Sequence, residues 1–100
     1  MITKKRELSQ IRLSLIKSGK LHLVLHHHWY DEIDSGRKTV EYREDTDYWR
    51  RRIMKWWHAD SRNLVTFHRG YSKTTITFEV SMLVLHNGAI ELHLGSRLNV

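Results

Sequence analysis

The sequence predicts an α+β domain, a small mixed and partly closed β-barrel with two or three short helices plugging its ends. Three observations carry that expectation. The stretch Lys73 to Val84, rich in Thr, Ile, Phe and Val, alternates in period 2: Ile76, Phe78, Val80 and Met82 fall on one face, Thr75, Thr77, Glu79 and Ser81 on the other. His86-Asn87-Gly88 closes that run with a hairpin signature, and Ala89 to Leu94 supplies a returning strand before Gly95-Ser96 begins a tail. Shorter apolar runs alternate with stretches of helical spacing earlier in the chain, which rules out a purely β domain. At 100 residues there is room for one domain with a modest core.

Composition narrows the class further. Ten aromatic residues, four of them Trp, argue against disorder, although hydrophobic content is only 40%. With no cysteine there is neither a disulfide framework nor a thiolate metal site. No apolar run approaches the roughly 18 residues of a membrane span, so no membrane partner is expected. The charged N-terminus lacks a signal-peptide core, as expected of a cytoplasmic protein. The net charge of +6 is unevenly placed. Residues 1–20 hold six of the 17 cations and one of the 11 anions, a net of +5 that leaves +1 for residues 21–100. Such a basic arm suits nucleic acid or another anionic surface.

In order along the chain, residues 1–19 form a basic segment in which Leu8, Ile11, Leu15 and Ile16 fit one helical face, with Ser18-Gly19 as its stop. Leu21 to His28 reads as a strand, Leu21, Leu23 and Leu25 on one side. His26 and His28 would share a face there, but without a third ligand nearby no metal site is expected, and no motif implies a cofactor. Trp29 to Ser35 forms about two helical turns. Trp29, Ile33 and Tyr30 turn to the core, while Asp31 and Glu32 lie near the positive helix end and Gly36 at its C-terminus. Lys38 to Arg43 alternates as a strand, so Lys38 can meet Glu41 only if a bend or bulge intervenes.

Asp45 or Asp47 caps a second helix whose Trp49, Ile53 and Trp56 or Trp57 face inward and whose Arg51, Arg52 and Lys55 face out. Ala59-Asp60-Ser61 turns into a strand at Arg62 to Arg69, where Leu64 and Phe67 fall on opposite faces and suggest an irregularity. Arg69-Gly70-Tyr71-Ser72 is a loop.

The pattern Gly36-x-Lys38-x-x-Glu41-x-Arg43, after a helix ending in Ile33-Asp34-Ser35, resembles the ASCH family of the PUA-like superfamily. The hairpin-rich second half and the late Leu92-His93-Leu94-Gly95 are similar too, so the resemblance covers residues 20–95 within a domain at 20–100. It implies a PUA-like barrel with a cleft between barrel and short helices that handles RNA or modified nucleosides. One branch of similar proteins hydrolyses the amide of N4-acetylcytidine with a lysine, a threonine and a glutamate; others resemble ribonucleases. Lys38 matches that lysine, Glu41 stands where the threonine would, Glu79 looks like the glutamate, and Arg43 matches an arginine of the motif.

The leading expectation is therefore an RNA- or nucleotide-binding module. Lys38, Arg43 and the run Arg50, Arg51 and Arg52 would hold phosphates, Tyr42 or Trp29 would stack on a base, Glu41 would accept from a base amino group, and Gly36 would shape the turn. The alternative is a small hydrolase of RNA or a modified nucleoside. In it Glu79 is the general base, Lys38 stabilises developing charge, Arg43 orients the anion and Glu41 takes the remaining place. His26, His28 and His68 are further candidates for its acid and base. A third reading is a non-catalytic interaction domain that docks a partner, or a second copy as a homodimer, through the N-terminal segment.

Overall fold

The computed structural model describes residues 20–59 and 62–98. The helix expected over residues 1–19, and the docking role expected of it, fall outside them. The rest is a small mixed α+β domain: a curled, open five-strand half-barrel with two helices. The elements run β1 (Lys20–Leu25), α1 (His27–Asp34), β2 (Val40–Glu44), α2 (Asp47–Ala59), β3 (Leu64–Arg69), β4 (Thr75–His86) and β5 (Ala89–Leu98). Sheet order is β1-β3-β4-β5-β2. Only the β1–β3 pair is parallel, reached by the crossover that contains both helices; the remaining pairs are antiparallel.

One apolar cluster fills the concave side. Leu21, Leu23 and Leu25 of β1 meet Val65 and Phe67 of β3, Phe78 and Val80 of β4, and Ile90 and Leu92 of β5. Tyr30 and Ile33 of α1 and Ile53 and Trp56 of α2 close it from the helix side. Burial of each such large side chain contributes about 1.5–3 kcal/mol. The Trp56 indole N–H, which could not be left unpaired there, donates to the Leu64 carbonyl at 2.9 Å.

Several boundaries differ from the sequence expectation, each for a local reason. β1 ends at Leu25, because His26 turns out of the strand: its imidazole Nδ1 accepts from the His28 N–H at 3.4 Å as a helix cap. The helix thus starts at His27, and the paired strand histidines do not exist. This earlier start puts Tyr30 and Ile33, three apart, on the buried face and leaves Trp29 49% exposed. It also removes Asp31 and Glu32 from the first turn; they meet Arg69 and Arg37 instead. α2 is capped by Thr46, whose hydroxyl accepts from the Trp49 N–H at 3.2 Å, while Asp45 grips Arg50 through two hydrogen bonds. β3 is regular throughout, and its Thr66, facing away from Val65 and Phe67, is buried by bonding Thr77 across the pair at 2.7 Å.

The largest departure lies in β4. Its pairing with β5 shifts register between Phe78 and Val80 and again between Val80 and Met82. A shift of one residue exchanges faces, so Met82, expected inside, is 50% exposed while Leu83 packs against the core. Gly95 lies against this irregularity: a Cβ there would stand 3.3 Å from the Glu79 carbonyl oxygen. Gly95 and Ser96 accordingly do not begin a tail; β5 continues to Leu98 beside Thr77. The hairpin turn itself is as expected, with Asn87 and Gly88 both at positive φ (51° and 76°).

Candidate functional site

The site is built where α1 hands over to β2. Gly36 at φ 85° reverses the chain after Ser35. The Lys38 N–H then donates back to the Glu32 carbonyl at 3.0 Å. On the far side the Thr39 carbonyl accepts from Leu94 N–H at 2.9 Å, extending the β2–β5 ladder by one step. Lys38 and Thr39 therefore precede the strand rather than belong to it, and the bend frees Lys38 from strict alternation. Its ammonium comes within 3.1 Å of a Glu41 carboxylate oxygen.

Glu41 sits opposite Leu92 on the concave face and is only 5% exposed. Its second oxygen is 3.5 Å from the Arg43 guanidinium. Lys38 approaches Glu41 Oε1 as an ion pair without hydrogen-bond geometry, and the buried Arg43 Nε has no acceptor. Burial, and to a smaller extent nearby Arg52, lowers the Arg43 pKa from its ordinary value; Glu41 pulls the other way. The same Arg43 nitrogen, Nη2, also donates to the Val24 carbonyl of β1 at 3.4 Å, so this side chain spans from one edge strand of the sheet to the other.

Above the ion pair the surface is aromatic. Lys38 Nζ lies 4.4 Å from the centre of the Trp29 ring and 5.7 Å from that of Tyr42. Both rings are about half exposed. Trp29, Lys38, Thr39, Val40 and Tyr42 line an open cleft of about 520 Å³, a size that accommodates a small molecule or one nucleotide. A cation and two π faces thus share one cleft, and the buried carboxylate of Glu41 fixes the cation from beneath it.

The structure brings together Trp29, Lys38, Glu41, Tyr42 and Arg43, with Gly36 forming the turn before them. Glu79 makes its ion pair elsewhere, with Arg62 at 2.9 Å on the convex side of β4. Arg50 is held by Asp45, whereas Arg51 is exposed on α2. Of the histidines considered as acid or base, His68 bonds His22 at 3.0 Å across β1 and β3, and His26 caps α1. Among the described residues no three His, Asp or Glu side chains cluster closely enough to hold a metal ion, and no helix is long and apolar enough to cross a membrane.

Sequence reasoning passed over the Glu91–His93 pair. His93 Nε2 is 2.9 Å from Glu91 Oε1, and His86 Nδ1 is 3.6 Å from the other oxygen. Two residues apart on an alternating strand, Glu91 and His93 share a face, and that spacing was the available signal. Compared with protein-family models and with characterised proteins, the chain matches none.

Proposed function

We propose that the protein binds RNA or a nucleotide in the cleft between Trp29 and Tyr42, in the manner of an ASCH-type, PUA-like domain. The observation that carries this reading is the Lys38 ammonium between two half-exposed aromatic rings. Base stacking on an aromatic face contributes about 1–3 kcal/mol and tolerates any base. An ammonium beside the stack serves a phosphate, and Glu41 keeps it from folding away into solvent. Arg51 and Lys55, exposed on α2, add diffuse attraction for a polyanion. Binding is favoured over hydrolysis because the contacts of Lys38 are with Glu41 and the two rings, while Glu79 is engaged by Arg62.

Fluorescence anisotropy with short labelled single-stranded RNAs tests the proposal. Saturable binding is expected at low salt and falls steeply towards physiological salt. Trp29→Ala and Tyr42→Ala should each weaken it by about 1–3 kcal/mol. An absence of saturable binding at low salt overturns the reading.

A further inference from the structure

Nearly every carboxylate of the domain that has a partner is matched to a strong cation. Asp31, Glu32, Asp34, Asp45 and Glu79 each meet an arginine, and Glu41 meets Lys38 and Arg43. Glu91 is the exception among the described residues: its partners are two imidazoles, His93 and His86, and its side chain is 18% exposed. An unprotonated imidazole supplies at most one N–H to it. A carboxylate offers about four acceptor sites, so two imidazole partners leave Glu91 with unused acceptor capacity.

Its position gives that capacity a use. Directly opposed residues of an antiparallel pair point to the same side of the sheet. Tyr42 is opposite Glu91, and Val40 is opposite His93. The two β2 residues that line the cleft thus have Glu91 and His93 as their cross-strand neighbours, on the face away from buried Glu41 and Leu92. Glu91 therefore stands beside the Tyr42 wall of the cleft, next to its lining residues rather than among them.

We infer that Glu91 selects among bases in the cleft, accepting the exocyclic amino group of a cytosine or adenine, with His93 as the residue that positions it. This rests on the cleft binding nucleic acid. Lys38 then draws the phosphate to one side while Glu91 draws an amino edge to the other, which orients the nucleotide. Uracil places a carbonyl oxygen where cytosine has its amino group, and two facing acceptors repel.

The experiment compares labelled oligo(C), oligo(A) and oligo(U) RNAs of equal length, with the wild-type protein and Glu91→Gln, at neutral pH and low salt. Wild type should bind oligo(C) and oligo(A) about ten-fold more tightly than oligo(U). Glu91→Gln presents an amide that can either accept or donate, so the preference should largely vanish while oligo(U) binding is kept or improved. His93→Ala should reduce the preference, and His93→Gln, which restores a donor to Glu91, should recover part of it. If wild type binds all three alike and Tyr42→Ala weakens each, the cleft reading stands and Glu91 does not select. Preference unchanged in Glu91→Gln equally overturns the inference. If none of the RNAs binds, the cleft reading itself falls.

Discussion

Two groups of buried polar side chains, one between the interior strands β3 and β4 and one on the edge strand β2, are satisfied very differently. Between β3 and β4, Thr66 and Thr77 are 6% and 8% exposed and bond each other at 2.7 Å. On β2, Glu41 is equally buried but ionisable, with two cations at 3.1 and 3.5 Å and an unpaired Arg43 Nε beside it. The threonine pair is self-contained: a neutral donor and acceptor leave water together and find each other. The charged group is incomplete, and a partly satisfied network in a low-dielectric setting costs stability that an apolar packing would not. Its compensation is position. Glu41 fixes Lys38 at the aromatic cleft and Arg43 across the seam between the edge strands β2 and β1, whereas the threonines fix only strand pairing.

That contrast can be broken in graded ways. The largest effect is expected from Glu41→Leu, which leaves Arg43 half-buried without its carboxylate and should lower unfolding free energy by about 3 kcal/mol in urea titration. A loss below about 1 kcal/mol would mean that Arg43 finds water easily and that the pair is effectively a surface one. Next, Thr66→Val strands the Thr77 hydroxyl and should cost about 1–2 kcal/mol; the Thr66→Val/Thr77→Val double variant should recover most of it. A double variant as unstable as the sum of the singles would show that the hydroxyls have other roles. The smallest effect belongs to Arg62→Ala, which removes the exposed partner of Glu79. It should change stability by no more than about 0.5–1 kcal/mol, and less at high salt.

Acid should act on three exposed ion pairs and on His22. Hydrogen bonds from Arg69, Arg37 and Arg50 hold the Asp31, Glu32 and Asp45 carboxyls below their ordinary values. A depressed folded-state pKa means stability that is present above the unfolded carboxylate range and lost as pH falls through the folded value. Burial, then His68, lowers His22, so the unfolded chain also takes up that proton first. The sign is the same: thermal midpoints should decline gently below about pH 6.5 and more steeply below about pH 4. Midpoints that rise on acidification would contradict these ion pairs.

Much of the architecture was legible because it depends on local chemistry. Asn87-Gly88 prefers positive φ, Gly36 ends a helix, and the Leu21, Leu23, Leu25 alternation marks a buried face. What was not legible depends on partners distant in sequence. Met82 leaves the core because β4 slips against β5 beside Gly95, and no pattern within β4 records that slip. Trp29 is outside because His26, not a more usual cap residue, starts the helix two positions early. The Lys38–Glu41–Arg43 grouping could be anticipated from spacing, subject to a bend that the Lys38 to Glu32 backbone bond supplies. The place of Glu79 could not, since its Arg62 partner precedes the neighbouring strand.

The seam has a consequence for how other molecules can approach. β1 is an edge strand, and its outward carbonyls at His22 and Val24 accept from Arg52 and Arg43 at 3.2 and 3.4 Å. Both guanidiniums also lie over the Trp49 ring, at 5.3 and 5.0 Å from its centre. An edge whose acceptors are already taken is a poor template for another strand. The half-barrel can therefore stay open along this line without recruiting neighbouring chains into its sheet, and a peptide seeking to extend the sheet at β1 would first have to displace two arginines anchored on one indole.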